Sequence, residues 1–232
     1  MQIIGPTTIE ELTLVWLKSE WDGTADRRLI DDPDLTDQEQ NKARAALLRR
    51  HREPILKELP EETSPMWVDI EEADLLRLYI LPCFDWYLDT GETFRLVDTP
   101  AHLAAGREFL GWSRPYRFGH LTKVDAMASA LVGYEAATTN EVLILIAEDR
   151  SGPYTIIDGT HRATALYRNY LTGTKMPWRG IMVVNQAIAG CLWHIESPRA
   201  RANMAQFKQL AELGVLRDHL LAKPLQVVQR RL

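Results

Sequence analysis

The stretch "YTIIDGTHRATALYRNYLTG", Tyr154 to Gly173, changes period in its middle. Its first half is rich in β-branched and aromatic residues and reads as a strand. After Asp158-Gly159-Thr160-His161-Arg162, apolar residues fall at Ala163, Leu166, Tyr167 and Tyr170, the spacing of a helix face. A strand that opens a helix through Asp-Gly gathers unpaired backbone N–H groups and the positive end of the helix dipole at one exposed point. That point suits an anion: Gly159 permits close backbone approach, and Thr160 can cap the helix or donate its hydroxyl. Arg162 adds a planar fork for phosphate, and His161 can bond phosphate oxygens or move a proton near neutral pH. The plainer alternative is that Asp158 and Thr160 cap the helix while His161 and Arg162 meet solvent.

Outward from this stretch the pattern stays regular. "TKVDAMASALVGY" carries Val124, Met127, Ala128 and Leu131 at helical spacing, "EVLILIAED" is a continuous apolar strand, "RSGPY" is a turn, and "RGIMVVNQ" is another strand. Helix, strand, turn, strand, helix, strand makes a compact α/β unit. Further upstream, "MWVDIEEADLLRLYIL" predicts strand, short helix, strand, and "FDWYLDTGETFRLVD" predicts a hairpin around Asp89-Thr90-Gly91-Glu92. A helix over about 100–110 is expected next. Thr8 with Glu11, and Thr36 with Glu39, have capping-box spacing, so helices are expected from about Ile9 to Trp21 and from Thr36 towards Leu56. Between them "DGTADRRLIDDPDLT" reads as an acidic surface loop. Beyond Pro198 the sequence is helical throughout.

This order of elements, with Gly159-Thr160-His161-Arg162-Ala163-Thr164-Ala165 standing as "G-x-[HR]-R-x-x-A", resembles the ParB/sulfiredoxin-like family of nucleotide-binding domains. The likeness covers about Lys123 to Gln186. It implies an α/β (α+β) fold: a small mixed sheet with packed helices forming a core over 63–197, an N-terminal helical extension over 1–62 and a C-terminal helical cover over 198–232. It also implies a site for ATP, ADP or CTP with Mg²⁺, the phosphates lying over the helix that begins near Thr160. Three activities occur among proteins of this kind: nucleotide switches on DNA, sulfinic-acid reduction, and phosphorylation of small molecules such as free serine. Where sulfiredoxins carry the catalytic cysteine, this chain has Thr160, and a hydroxyl does not replace a thiolate nucleophile. A DNA clamp fits poorly with an acidic chain.

On the remaining reading, a small-molecule phosphotransferase, Gly159, Thr160, His161 and Arg162 hold the phosphates. Asp158 holds Mg²⁺, orients His161 or merely caps the helix. Candidate general bases are Asp69, Glu71, Glu72 and Asp98. The segment "SRPYRFGHLTK" offers Arg114, Arg117, His120 and Lys123 in an expected loop that can close over a nucleotide, with Trp112 and Tyr116 as candidate stacking residues. The competing reading is a nucleotide-gated regulatory protein without phosphotransfer.

Composition sets the outer bounds. The 232 residues can bury a sizeable core, 46% of them being hydrophobic and 25% charged. A net charge of −5 gives no global field for a polyanion; the segment from Arg199 is locally basic but reads as solvated helix faces. Cys83 and Cys191 lie far apart and read as buried small hydrophobes. The six histidines have no HxxxH or HxH spacing, so no metal site is expected; in "CLWHIES", strand alternation would separate Cys191 from His194 and Glu196. The N-terminus has no signal-peptide pattern and no apolar run approaches the ~18 residues of a membrane span, so a cytoplasmic protein without membrane partners is expected.

Overall fold

The computed structural model describes residues 1–20, 27–87, 89–101, 103, 114–131, 142–174 and 178–212; the side chains of 85, 114–119 and 210–212 lie outside the description. The apolar runs that stand out in the sequence become the middle of a mixed sheet. Strands β1 (Gln2–Pro6), β2 (Ser64–Ile70), β3 (Leu78–Ile80), β4 (Leu143–Ala147), β5 (Tyr154–Asp158) and β6 (Trp178–Val184) are ordered β1-β2-β6-β4-β5-β3. β4 runs parallel to β6 and antiparallel to β5; β3 is parallel to β5, and β1 and β2 extend the other side in antiparallel fashion.

β4 is buried at all five positions because helices cover both faces of the sheet. Its alternation divides the core: Leu143, Leu145 and Ala147 join one cluster, Ile144 and Ile146 the other. The first cluster is closed by α4 (Phe84–Tyr87), α5 (Arg114–Leu131), α6 (Thr160–Leu171) and α7 (Pro198–Glu212) through Phe84, Val124, Ala128, Ala163, Leu166 and Phe207. The second is closed by α1 (Ile9–Glu20) and α3 (Gln38–Leu56) through Leu12, Trp16, Leu48 and Ile55. A short α2 (Arg28–Asp31) lies between them in sequence. The chain is therefore a mixed α/β protein with helices on two sides of one sheet. No helix among the described residues is long and apolar enough to cross a membrane.

The strand, short helix, strand expected around Met66 to Ile80 is present as β2, a 3-10 helix over Glu72–Arg77, and β3. The regular unit from Val124 to Val184 is present as well. Several expectations need correction. Residues before Ile9 form β1, which pairs with β2, so the sheet draws strands from both sides of the boundary placed at residue 62. The hairpin expected over Phe84 to Asp98 is a helical turn, α4, then a turn and a 3-10 helix over Leu96–Asp98; the aromatic flanks pack inward instead of pairing, Phe84 meeting Phe207 edge-on at 5.3 Å. "SRPYRFGHLTK" is helical from Arg114, with Pro115 in the first turn where its missing N–H costs nothing. "CLWHIES" forms turns, not a strand. Most of the expected helix over 100–110 lies outside the described residues, as do Trp21, Trp112 and the chain after Glu212.

Local capping follows half of one of the two expected boxes, the Glu11 carboxylate accepting instead from the Thr7 hydroxyl. Glu11 N–H donates to Thr8 Oγ1 at 3.1 Å. At α3 the cap is Asp37 rather than Thr36, its Oδ1 accepting from the N–H groups of Glu39 and Gln40 at 3.0 Å. Farther along α3, Pro54 breaks the backbone ladder, and Arg52 leaves helical geometry at φ −126°, ψ 22°.

Candidate functional site

The strand-to-helix turn has the form its glycine demands. Gly159 is left-handed at φ +86°, and a Cβ placed there would stand 2.8 Å from Leu143 Cδ2 and 3.3 Å from Arg162 Nη1. It is the N-cap of α6, and no side chain caps that helix. Neither Thr160 nor Asp158 takes the capping role allowed to it by sequence. Thr160 is half-buried, and its carbonyl accepts from Thr164 Oγ1 at 2.9 Å. Arg162 bends back, Nη1 donating to the Val142 carbonyl at 2.6 Å. Part of its fork thus secures the turn to the segment entering β4, and does not stand in solvent.

Asp158 ends β5 beside Ile144, at a point where the β4–β5 register shifts. It is 7% exposed and faces α1 and α3. Ser19 Oγ lies 2.5 Å from Asp158 Oδ2 and 2.8 Å from the Trp16 carbonyl. Arg52, released by the kink in α3, pairs with Glu20 and reaches to 3.7 Å from Asp158 Oδ1. Arg52 thus stands between the carboxyl groups of Glu20 and Asp158. Burial, followed by the hydrogen bond and charge of Asp158, raises Glu20 from 4.5 to about 7, against the opposing pull of Arg52. Its position at the C-terminal end of α1 adds to the cost of a negative charge there.

None of the sequence's candidate bases is at this place. Asp69 pairs with Arg179 at 3.1 Å, Glu72 accepts from the Tyr170 hydroxyl, Glu71 and Asp74 cap a 3-10 helix, and Asp98 accepts from Thr93 at 2.6 Å. Glu20, Arg52 and Ser19 were missed. They lie more than a hundred residues before Asp158, and the available sign was an acidic residue ending a helix, where the dipole disfavours it.

His161 goes to the other helical layer. Its Nε2 lies 3.0 Å from His120 Nδ1 of α5, the rings stacked at 4.7 Å and 27°. Trp86 of α4 sits edge-on to both, at 4.6 Å from His120 and 5.1 Å from His161. The two side chains expected to work together, Asp158 and His161, are therefore directed to different sides of the sheet. Lys123 is exposed on α5, close enough for its charge to bear on both rings. The side chain of Arg117 lies outside the described residues. Burial, with the neighbouring charges, pushes His120 down to about 4 and His161 to about 3. His194 is buried at 1% exposure, and that burial lowers it too.

These opposite shifts predict a measurable pH dependence. The unfolded chain takes up protons on both histidines near pH 6.5 that the folded pair refuses, so their stabilisation is present above that pH and fades as pH falls towards 4. Glu20 acts in the other sense: its folded form keeps a proton that the unfolded carboxyl loses above 4.5, so stability falls as pH rises through 7. Between pH 5 and 6.5 His120, His161 and His194 oppose one carboxyl. Unfolding free energy from denaturant titration is expected to rise with pH there, and to rise more steeply in Glu20→Gln. A flat or falling profile would contradict the arrangement.

The turn thus combines an uncapped helix N-terminus with a carboxyl pair around Arg52 on one side and a stacked histidine pair on the other. Among the described residues no group of three or more His, Cys, Asp or Glu could hold a metal by itself. No protein-family model, curated protein or solved structure matches the chain.

Proposed function

We propose that this chain binds Mg²⁺ with ATP or ADP at the first turn of α6 and transfers a phosphoryl group to a hydroxyl-bearing small molecule. The observation that carries the reading is the Glu20–Asp158 pair bordering the uncapped helix terminus at Gly159. The resemblance of the Gly159–Ala165 motif to ParB/sulfiredoxin-like nucleotide sites supports the same placement.

The N–H groups of the first turn meet the phosphates, aided by the helix dipole. His161 bonds a phosphate oxygen through its Nδ1. A general base works best with a proton affinity near the operating pH, and Glu20 at about 7 meets that condition without a histidine. Glu20 takes the acceptor hydroxyl's proton; the acceptor oxygen bonds to the terminal phosphorus as the bond to the leaving nucleotide oxygen breaks, its electron pair leaving with the nucleotide. Arg52 balances the carboxylate charge while Glu20 is ionised. Mg²⁺ commonly uses one or two carboxylates plus substrate phosphates, and Asp158 is the hard oxygen donor beside the turn that would hold it; when bound it neutralises phosphate charge.

The competing reading, a nucleotide-gated DNA-associated protein, has less support. Arg199, which opens the basic C-terminal segment, is spent on Glu58, with contacts of 2.5 and 3.0 Å. The test is a thermal-shift series with Mg²⁺ and ATP, ADP, CTP or GTP, followed by phosphate transfer to a panel of small alcohols including serine. A ligand at one hundred times its Kd stabilises the native state by about 2.7 kcal/mol. A shift with adenine nucleotides and a phosphorylated product is the expected result. A shift accompanied by salt-dependent DNA retention and no product would favour the competing reading, and no shift at all would remove both.

A further inference from the structure

The hydroxyl of Ser19 has one hydrogen and two acceptors within reach. A serine near the end of a helix ordinarily donates to a carbonyl one turn back, and the Trp16 carbonyl lies 2.8 Å from Ser19 Oγ. Asp158 Oδ2 is nearer, at 2.5 Å. That distance belongs to the short, charge-assisted class of hydroxyl–carboxylate contacts, so the hydrogen points at Asp158. Three other hydroxyl–carboxylate contacts close exposed local turns: Thr36 on Asp34 at 2.7 Å, Thr93 on Asp98 at 2.6 Å and Ser151 on Asp149 at 2.5 Å. Ser19 and Asp158 instead stand 139 residues apart in sequence, and Asp158 is 7% exposed.

Reactivity, place and access converge on Ser19. A hydroxyl becomes a nucleophile when a base within hydrogen-bond reach takes its proton and a third group holds the base. Asp158 Oδ2 is that base, and Arg52, 3.7 Å from Asp158 Oδ1, is the third group. Asp158 immediately precedes Gly159, the left-handed N-cap of α6, so the hydroxyl borders a helix terminus whose N–H groups suit a phosphate. Ser19 is only half-buried, whereas Thr164 in α6 is fully buried and spends its hydrogen on the Thr160 carbonyl.

We propose that Ser19 is a self-phosphorylation site: when no acceptor is present, the chain transfers the terminal phosphoryl group of a nucleoside triphosphate to its own Ser19 Oγ. The inference rests on the phosphate-site reading, which supplies the donor. The Ser19 Oγ–phosphorus bond forms as the bond from phosphorus to the bridging nucleotide oxygen breaks. That oxygen's electron pair leaves with the nucleoside diphosphate, and the serine proton passes to Asp158 Oδ2. The product places a charge of about −1.5 to −2 beside the Asp158 and Glu20 carboxyl groups. Arg52, which pairs with Glu20 in the unmodified chain, is drawn to the phosphate. Phosphoserine at position 19 then repels a second nucleotide and switches the site off.

The test takes phosphatase-treated protein with Mg²⁺ and ATP and no acceptor, reading nucleotide binding by thermal shift and phosphorylation by intact mass and peptide mapping. A single phosphoryl group on Ser19 is expected, acquired at a rate per chain independent of protein concentration, because nucleophile and donor site belong to one chain. Ser19→Ala should keep the thermal shift with Mg–ATP and acquire no phosphate. Ser19→Thr, which keeps the hydroxyl, should be phosphorylated at residue 19 and guards against an alanine variant that fails to fold. The isolated phosphorylated wild type should lose the thermal shift. A shift without phosphate on Ser19, phosphate on another residue such as Thr160, or a rate per chain proportional to protein concentration overturns the proposal and leaves the nucleotide site standing. A phosphorylated chain that keeps its full thermal shift overturns the switching-off. Absence of any nucleotide shift in the unmodified protein removes the phosphate site and the proposal together.

Discussion

Replacing Glu20 by glutamine is expected to lower the proposed phosphoryl transfer by roughly 10²–10⁴-fold, the usual contribution of a positioned general base. Nucleotide affinity should change little, because the amide retains the shape and the hydrogen-bonding capacity towards Asp158 and Arg52. The change falls in kcat, measured under saturating Mg–ATP. The same substitution removes the buried carboxyl that opposes folding above pH 4.5, so the variant should be no less stable than wild type at pH 8. A loss of stability at pH 8 accompanying the loss of rate would point to a structural role instead. Loss of rate in a protein of equal or greater stability identifies the base.

Gly159→Ala is expected to destabilise the fold by roughly 2–5 kcal/mol. A left-handed alanine costs about 1–2 kcal/mol, and crowding a packed site costs about 1–3 kcal/mol more; here the added Cβ would stand 2.8 Å from Leu143 Cδ2. Gly173 provides the control. It too is left-handed, at φ +88°, yet nothing lies within 4 Å of its would-be Cβ, so Gly173→Ala should cost only the backbone term. Denaturant unfolding of both variants separates the two contributions. Equal losses would mean that the β4–α6 approach at Gly159 is looser than the structure has it.

Elements set by local signals are legible in the sequence, and those set by distant contacts are not. β4, β5 and β6 were legible because "LILIA", "YTIID" and "GIMVV" are apolar on both faces, and α6 was legible because its apolar spacing begins directly after Asp-Gly. Those are local signals. The sequence of α4 reads as strand because Phe84, Trp86 and Tyr87 have high β propensity, but Phe84 and Tyr87 pack on Phe207 and Trp86 on His120 and His161, all remote in sequence. The helical start of α5 was hidden by Pro115 and Gly119, residues that mark loops by composition but are tolerated in a first turn and an interior held by packing. β1 carries Gly5 and Pro6 and is exposed at Ile3 and Ile4, so its short sequence lacks the alternation of a half-buried strand.

The site divides in the same way. The turn at Gly159 was legible, because a left-handed residue between strand and helix calls for glycine. The companions of Asp158 and His161 were not. Ser19, Glu20 and Arg52 reach Asp158 only once α1 and α3 pack on one face of the sheet, and His120 reaches His161 only once α5 lies against α6 on the other. Arg52 in particular depends on Pro54, whose effect two residues upstream redirects a side chain that helical periodicity would have assigned differently.

The most direct test of the phosphate turn is a titration of the ¹⁵N-labelled protein with Mg–ATP, followed at the backbone amides. Binding at the helix terminus predicts saturable shifts centred on Thr160, His161, Arg162 and Ala163, smaller shifts at Asp158 and Glu20, and none at the far ends of α3 or β1. Saturable shifts centred elsewhere, or none at millimolar nucleotide, would contradict the account.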